Sequence, residues 1–321
     1  MFNKILIPVD GSVSAEKLIS WTGTLAGRIG AEVVLLAVAD PVEWISWPAA
    51  AAWDEADDGI VAGIDPFPEG GPQRHSMKAY QAKAMAHGLS AARTYLEQQA
   101  ARLAVMGVKS SVEIRQGSPS RVITEVTEET GAGLVVMSSR RTSALARGVL
   151  GSVADRIVRS SSVPVIVVHP EYVDRKAVHS RSIDRVIVPL DGSELSELAT
   201  EPGIALAGKL GARILFLQVV ESGVMSGEPG DEERDEAAAY LGQFAEAAGG
   251  EGIQANVRTA YGSAVKNILD EAEAEPGSII AMGTHGRGGF RRFFLGSVTD
   301  KVVRTSNVPV MVVPPGQEHQ K

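Results

Sequence analysis

A glycine-rich stretch in the second half of the chain contains the residue types that bind phosphate. Gly283 and Gly286 are followed after nine further residues by Gly296 and Ser297. Glycine allows backbone N–H groups to approach a phosphate closely, and the start of a helix adds free N–H donors. The dinucleotide fingerprint fails because Arg291 stands where its last glycine belongs, and the chain has no Gly-Lys-Ser/Thr of a Walker loop here. The alternative is a glycine-rich turn in which the serine only caps a helix.

Other residue types exclude several kinds of chemistry. The chain has no cysteine, which removes thiolate nucleophiles, disulfides and zinc–thiolate sites and fits a reducing compartment. No two of the six histidines have the spacing of a helical metal site, although His285 lies inside the glycine-rich stretch and could contact a ligand. No Gly-x-Ser-x-Gly elbow is evident. We therefore predict no catalytic residue and no metal site formed by the protein alone.

Charge and hydropathy argue against two kinds of partner. The chain has 31 basic and 39 acidic residues and a net charge of −8, whereas proteins that coat nucleic acids or anionic membranes carry an excess of lysine and arginine. It has no run of about 20 apolar residues, and the apolar N-terminal run ends at Pro8 and Asp10. We therefore expect neither nucleic acid nor membrane as a partner, and a cytoplasmic location.

The elements that must position the glycine-rich stretch occur twice along the chain. At a shift of 181 residues, Lys4–Ser12 falls on Arg185–Ser193. At a shift of 145 residues, Leu150–Val153 falls on Leu295–Val298. Because the same order and local spacing recur, the two halves are interpreted as copies of one unit. The shifts differ by 36 residues, which indicates an insertion in the first half.

The repeat predicts two homologous domains at residues 1–170 and 183–321, with a linker at 171–182. The insertion covers about 41–73, where Trp44, Trp47 and Trp53 are three of the four tryptophans. Tryptophans are frequent anchors in protein interfaces, so one hypothesis is a lid or a partner-binding arm. The alternative is an irregular loop whose tryptophans pack on their own domain.

Each half alternates short apolar runs with helical segments. Strands that are apolar on both faces and alternate with helices predict βαβ units, and hence a parallel sheet with helices on both faces. Ligands of such sheets bind beyond the carboxyl ends of the strands. The predicted strands are Ile5–Val9, Val33–Val38, Ser111–Arg115, Leu134–Met137 and Val165–Val168, then Val186–Pro189, Ile214–Val219, Gln254–Arg258, Ser278–Met282 and Val310–Val313.

Several motifs lie at the predicted carboxyl edge and at the last strand of the second half. They are Pro189-Leu-Asp191-Gly-Ser193, Val219, Met282-Gly283-x2-Gly286-x9-Gly296-Ser297-Val298 and Val308–Val313. In combination they resemble the universal stress protein family over nearly the whole of both halves, and the spaced glycine–serine motif is fairly specific for its ATP-binding branch. The resemblance implies two Rossmann-like α/β domains of the adenine-nucleotide alpha-hydrolase type, each with a five-stranded parallel sheet. It also implies ATP across the carboxyl edge.

The resemblance also implies roles for individual residues of the second half. Leu190 and Val219 would flank the adenine, and Asp191 would lie near the ribose or near a Mg²⁺ or Mn²⁺ ion on the phosphates. The alternative for Asp191 is that it only caps the next helix. Glycines of the loop would hold ribose and phosphate, and the start of the last helix would bind phosphates. The full expected set is Pro189, Leu190, Asp191, Val219, Met282, Gly283, Gly286, Arg287, Gly296, Ser297 and Val298.

The first half departs from this pattern at two positions. Ser138 stands where the second half has Gly283, and Arg141 stands at the position of Gly286. A Cβ atom hinders close backbone approach, and an arginine could fill the phosphate space, so weak or no binding is expected there. The alternative is that Arg140 and Arg141 pair with phosphates. The degenerate site comprises Val9, Asp10, Val38, Ser138, Arg141, Gly151 and Ser152.

These inferences lead to an ATP-binding stress-response or regulatory protein with its adenine nucleotide in the second half. The alternatives are a slow metal-dependent ATPase, and a binding module for another adenylate or a protein partner. The apolar last strands, Val165–Val168 and Val310–Val313, are sheet-edge candidates. The resemblance implies that they pair, so that the two halves form an internal pseudo-dimer, and two chains could associate further as a homodimer.

Overall fold

A computed structural model of the chain describes residues 1–39, 74–139, 150–174, 183–220, 231–275, 277–284 and 295–315. Strands and helices alternate through both halves. The first half contains β1 Lys4–Val9, α1 Val13–Ile29, β2 Glu32–Ala39, α2 Arg74–Val105, β3 Ser110–Gln116, α3 Pro119–Thr130, β4 Leu134–Ser138, α4 Ser152–Ser160, β5 Val165–Val168 and α5 Pro170–Asp174. The second half contains β6 Arg185–Leu190, α6 Glu194–Glu197, α7 Thr200–Leu210, β7 Arg213–Val220, α8 Asp231–Gly250, β8 Ala255–Tyr261, α9 Ala264–Ala274, β9 Ser278–Gly283, α10 Ser297–Thr305 and β10 Val310–Val313.

Each half forms a five-stranded parallel sheet, which confirms the predicted fold class. The strand orders are β3-β2-β1-β4-β5 and β10-β9-β6-β7-β8. All six residues of β6 are buried, so the sheet is covered on both faces. From β6 the chain adds β7 and β8 on one side, and it then crosses to add β9 and β10 on the other side. The strand order therefore reverses between β6 and β9, and likewise between β1 and β4 in the first half. Such a reversal opens a crevice at the carboxyl edge, where ligands of these folds bind.

The two halves are joined through their last strands into one ten-stranded sheet. β5 and β10 pair antiparallel, with Val310 opposite Val167 and Val312 opposite Val165. Strand pairing satisfies backbone groups that an exposed edge would leave open. This pairing within a single chain is the arrangement that the pseudo-dimer prediction describes.

A buried histidine adds a polar contact between the halves. His169 directly follows β5, and its Nε2 lies 2.8 Å from the carbonyl oxygen of Val303 in α10. Its Nδ1 faces the hydroxyl of Ser139. Because a carbonyl oxygen can only accept, Nε2 carries a hydrogen and donates it to Val303. The imidazole is therefore a doubly hydrogen-bonded bridge from the first-half sheet to a second-half helix.

Two basic side chains cap each other's helices across the halves. Arg28 donates from Nη2 to the carbonyl oxygen of Leu210, the last residue of α7. Lys209 in turn points its Nζ at the carbonyl oxygen of Ile29, the last residue of α1, at 3.4 Å. The two donors and the two acceptors are each related by the 181-residue shift. The C-terminus of a helix carries a partial negative charge, which a lysine or arginine stabilises. Because each cation comes from the other helix, this reciprocal contact stabilises the packing of α1 on α7.

A ring of four charged residues connects α4 with α10. Arg159 donates to Asp155 at 2.8 and 3.0 Å within its own helix and to Asp300 of the other half at 3.2 Å. Arg304 repeats this pattern, with 2.8 Å contacts to both Asp300 and Asp155. The four side chains are only 21 to 30% exposed. The ring is consequently less screened by solvent than a surface ion pair.

The charge ring predicts a stability contribution that disappears in acid. The hydrogen bond from Arg159 lowers the pKa of the Asp155 carboxyl from its ordinary 3.8, against an opposing effect of burial. A carboxyl whose pKa is lower in the folded state stabilises the fold above pH 3.8 and loses this contribution as the pH falls toward the folded-state value. We expect Asp155→Asn to lower the free energy of unfolding by about 1 kcal/mol at pH 7, and by progressively less below pH 3.8, in urea titrations.

The matched control for this measurement is Glu125→Gln, which removes an i, i+4 ion pair with Arg121 on an exposed helix face. Exposed pairs of this kind contribute little, so the control should be nearly neutral at both pH values. An Asp155→Asn effect that stayed the same from pH 7 to pH 3 would show that the ring does not act through the charge of this carboxylate.

Candidate functional site at the carboxyl edge

The turn after β6 is held together by the carboxylate of Asp191. Its Oδ1 accepts from the backbone N–H of Ser193 at 3.1 Å and from the Ser193 hydroxyl at 2.6 Å. Gly192 between them has a φ of +81°, a left-handed conformation that glycine adopts without strain. Ser193 caps α6, because its Oγ accepts from the N–H of Ser196 at 3.2 Å. Ser193 is therefore the helix cap, and Asp191 fixes the turn that presents it.

Gly283, at the end of β9, lies against the backbone of α6. A Cβ atom added there would be 2.2 Å from the carbonyl oxygen of Leu195 and 3.4 Å from Cα of Ser196. Any side chain at this position would force the first turn of α6 away from the sheet. The glycine thus has a packing reason that does not depend on a ligand, and the loop glycine role inferred from the sequence stays a prediction.

The N-terminus of α10 begins beside the end of β9. Gly296 is its cap residue, with φ −56° and ψ 147°, and within the described residues no side chain caps it. The Gly296 N–H donates to the carbonyl oxygen of Thr284 at 2.8 Å, and the Thr299 hydroxyl donates to that of Gly283 at 2.9 Å. The first intrahelical bond runs from Asp300 N–H to Gly296. The earlier N–H groups of this helix are therefore the ones that a ligand anion could bind.

The apolar residues expected at the site lie on the strands that flank the reversal. Leu190 and Met282 are buried, and Pro189 is also buried in β6. Val219 near the end of β7 is half-buried, as is Val298 in the first turn of α10. Ser297, between Gly296 and Val298, is exposed. The expected site residues therefore fall into two groups, apolar residues that are buried at the strand ends and residues that are accessible at the N-terminus of α10.

One residue near this edge has no motif that would reveal it in the sequence. Tyr240 of α8 donates its hydroxyl to Oε1 of Glu197, the last residue of α6, at 2.9 Å. Burial is the main cause that raises the pKa of the Tyr240 phenol well above its ordinary 10, and the carboxylates of Glu197 and Asp191 add to it. The only sequence signal is the repeat, since Tyr95 precedes Tyr240 by 145 residues. The repeat alone indicates no role for this tyrosine, and its contact with α6 is seen only in the structure.

The first half reproduces much of this geometry. Asp10 Oδ1 accepts from the N–H of Ser12 at 3.1 Å, and Ser12 caps α1. Gly151 caps α4 with φ −60° and ψ 149°, and Ser152 at its start is exposed. Ser138 ends β4 in the position of Gly283. The remaining two expected positions, Val9 and Val38, are buried and half-buried at the ends of β1 and β2.

The helix that follows the aspartate turn differs between the halves. In the first half α1 runs without a break from Val13 to Ile29. In the second half the corresponding segment is divided into α6 and α7, with Leu198 and Ala199 between them. The short α6 packs on the end of β9, where glycine leaves room for it. The two candidate edges are therefore not structurally equivalent.

Several expected positions lie outside the described residues. They are Gly286 and Arg287 of the second-half loop, His285 beside them, Arg140 and Arg141 of the first-half loop, and the insertion at about 41–73. Among the residues that are described, no group of three or more histidine, aspartate or glutamate side chains could hold a metal ion. No described helix is long and apolar enough to span a membrane.

Comparisons with known proteins agree with this architecture. A model of the Universal stress protein family matches residues 1–169 and 182–314. A universal stress protein of Mycolicibacterium smegmatis is 28% identical over 318 residues, which are 97% of each chain. One of Mycobacterium tuberculosis is 28% identical over 316 residues, or 96% of each chain. The crystal structure of a universal stress protein from Archaeoglobus fulgidus covers 98% of this chain and 100% of its own, with a TM-score of 0.70 and 24% identity.

Proposed function

Because the chain belongs to the universal stress protein family, we propose that it binds ATP at the carboxyl edge of its second-half sheet and serves as a stress-response or regulatory protein. The observation that carries this proposal is the convergence of three features at the reversal between β6 and β9. The Asp191 turn follows β6, Gly283 ends β9, and α10 starts beside it with its cap N–H bonded to Thr284. This is the crevice in which doubly wound sheets bind ligands.

The chemistry of the edge suits a nucleotide phosphate. The first N–H groups of α10 and the exposed Ser297 hydroxyl can donate to phosphate oxygens, and the helix dipole favours an anion there. Val219 and the neighbouring apolar strand ends offer a surface for the base. Asp191 uses Oδ1 within its own turn, and its carboxylate can in addition contact a ribose hydroxyl or a phosphate-bound Mg²⁺ or Mn²⁺ ion.

Calorimetry of ATP with the full chain tests the proposal. We expect one tight site per chain, because Ser138 replaces the glycine of the second half and the first-half helix is not divided. Native mass spectrometry of the purified protein should show an adenine nucleotide at a stoichiometry of one. Two equivalent tight sites would contradict the asymmetry, and the absence of ATP binding would contradict the proposed function.

Asp191→Asn distinguishes the two roles proposed for this carboxylate. Asparagine keeps an Oδ1 acceptor for the Ser193 N–H and hydroxyl, so the turn should persist. If Asp191 holds a phosphate-bound ion, ATP binding should weaken about tenfold with Mg²⁺ and change little in EDTA. If it holds the ribose, the loss should be similar in both conditions. Calorimetry measures both.

Asp10→Asn is the matched variant in the first half, because Asp10 makes the same turn contact there. It should leave ATP affinity and stoichiometry unchanged. An equal loss in the Asp10 and Asp191 variants would mean that nucleotide binding is shared between the halves.

Slow hydrolysis is the alternative that Asp191 raises, since a carboxylate beside a phosphate-bound ion is a common feature of ATPases. Single-turnover assays with wild type and Asp191→Asn separate binding from turnover. Hydrolysis of the bound ATP by the wild type that is lost in the variant would favour an enzyme. Retention of intact ATP over hours would favour a regulatory nucleotide.

A further inference from the structure

A buried hydroxyl of α6 connects this helix with the backbone of Asp191. Ser196 is 6% exposed, and its Oγ accepts from the N–H of Asp191 at 3.3 Å. The same hydroxyl donates to the carbonyl oxygen of Ser193 at 2.8 Å. Because a buried hydroxyl that lost these partners would remain unsatisfied, both contacts hold it in place. Ser196 therefore joins the start of the aspartate turn to α6.

The hydrogen bonds of Ser196 form a closed set with those of the turn itself. Asp191 Oδ1 accepts from the N–H and the hydroxyl of Ser193, and Ser193 Oγ accepts from the N–H of Ser196 at 3.2 Å. Asp191 is consequently held at two places, with its carboxylate bonded to Ser193 and its backbone N–H bonded to Ser196. This arrangement restricts the direction in which the carboxylate extends from the end of β6.

Ser196 also lies against the second strand of the site. A Cβ atom added to Gly283, at the end of β9, would be 3.4 Å from Cα of Ser196. Ser196 thus contacts the ends of both β6 and β9, the two strands between which the strand order reverses. Ligands of doubly wound sheets bind at this reversal. The hydroxyl is therefore presented to Asp191 from a position that the sheet itself defines.

The first half has the aspartate turn but lacks this hydroxyl. Asp10 Oδ1 accepts from the Ser12 N–H at 3.1 Å, and Ser12 Oγ accepts from the N–H of Ala15 at 3.2 Å. Ala15 corresponds to Ser196 by the shift of 181 residues, and its methyl group cannot accept a hydrogen bond. The serine therefore occurs only in the half for which nucleotide binding is proposed. Alanine at the equivalent buried position also indicates that the fold accommodates Ser196→Ala.

We propose that Ser196 is a positioning residue of the second-half site, whose hydroxyl holds the backbone of Asp191 so that the carboxylate is directed at the nucleotide or its phosphate-bound ion. The inference rests on the proposed function for its nucleotide part, because it concerns the same site. The contact with the Asp191 N–H is a property of the protein without ligand. Because Ser196 acts through Asp191, its loss should reproduce in weaker form the loss of the Asp191 charge.

Amide hydrogen exchange in the ligand-free protein tests the positioning directly. Ser196→Ala should speed the exchange of the Asp191 N–H by about fivefold or more, because this amide loses the serine oxygen as its acceptor. Unaltered protection of the Asp191 N–H in this variant would overturn the inference, whatever the protein binds.

The matched control is Ser306→Ala, which removes a hydroxyl of the same kind far from the site. Ser306 is fully buried between α10 and β10, at the amino edge of the sheet. Its Oγ accepts from the N–H of Val308 at 3.1 Å and donates to the carbonyl oxygen of Val308 at 2.8 Å. Ser306→Ala should lower the stability about as much as Ser196→Ala and leave the exchange of the Asp191 N–H unchanged. Equal acceleration in both variants would show that the effect is general destabilisation, and would overturn the inference.

The nucleotide part is tested by ATP calorimetry of the same variants, with Mg²⁺ and in EDTA. We expect Ser196→Ala to bind ATP about fivefold more weakly, as for one lost hydrogen bond, and Ser306→Ala to bind it as the wild type does. The loss should appear in the same condition or conditions as the loss in Asp191→Asn, because both changes act through one carboxylate. Equal ATP affinity of wild type and Ser196→Ala, or a loss in a different condition, overturns this part.

A double variant separates positioning from an independent effect of Ser196. In an Asp191→Asn background, Ser196→Ala should weaken ATP binding by much less than fivefold, since the group that it positions has already been changed. Fully additive losses would mean that Ser196 does not act through the Asp191 carboxylate. If the wild type binds no ATP, the proposed function fails, and hydrogen exchange alone decides the positioning.

Discussion

Gly283→Ala is expected to lower the free energy of unfolding by about 3 kcal/mol and to weaken ATP binding by more than about tenfold. The new methyl group would lie 2.2 Å from the carbonyl oxygen of Leu195, which is backbone and cannot rotate away. The first turn of α6 must therefore move, and with it the Ser193 cap and the Asp191 carboxylate. Urea denaturation gives the stability, and calorimetry gives the ATP affinity.

The control for this substitution is Gly242→Ala, which also adds one methyl group to the second half. Gly242 lies within α8, and a Cβ there would have no heavy atom within 4 Å. Alanine should stabilise the helix by about 0.5–1 kcal/mol and leave ATP binding intact. If Gly283→Ala were as well tolerated as Gly242→Ala, the close contact between α6 and β9 could not be what requires glycine.

Glu271→Ala is expected to cost about 3 kcal/mol, because it leaves a buried arginine without its main carboxylate partner. Arg185 is 7% exposed and binds the Glu271 carboxylate with Nη2, while its Nη1 lies 3.3 Å from Glu275. Arg258 also pairs with Glu271. This network lies at the amino end of β6, on the edge opposite the candidate site. The loss should appear in urea denaturation without a change in ATP affinity once the protein is folded.

Glu273→Ala is the matched control on the same helix. Glu273 is exposed and, within the part of the chain that the structure describes, accepts a hydrogen bond only from Asn307 Nδ2. Its removal should therefore be close to neutral. Equal effects of the two substitutions would show that the Arg185 guanidinium finds adequate partners in Glu275 and solvent, contrary to the cost expected for a buried charge.

The fold was largely predictable from local patterns. The short apolar runs predict strands such as Val165–Val168 and Val310–Val313 with the bounds that the structure has. Ser12 or Ser14 as a cap and Gly30 as a stop predict a helix that ends near Ile29. The structure has α1 from Val13 to Ile29, with Ser12 as its cap and Gly30 after it at φ +70°. These features are local, because apolar periodicity and helix caps depend on residues a few positions apart. The repeat then extends them to the second half.

The candidate site was less predictable, because its geometry depends on contacts between residues that are distant in the chain. The sequence suggests a ligand role for Gly283, whereas the structure adds a packing reason in the backbone of Leu195. The sequence also leaves open whether Asp191 caps a helix, and the structure assigns that role to Ser193. Tyr240 has no motif that marks it, since a tyrosine on a helix is ordinary until its hydroxyl is seen to donate to Glu197 of α6.

The joining of β5 to β10 within one chain has a consequence for how the two edges can differ. In an assembly of two identical subunits, every substitution appears twice, on both sides of the symmetry axis. Here the two halves are encoded separately, so equivalent positions can differ. Ser138 occupies the position that corresponds to Gly283, and Arg102 the position that corresponds to Ala247, while Asp155 and Asp300 are the same in both halves and complete the charge ring. The tandem chain retains the architecture of a symmetric dimer, and each half can evolve a different function.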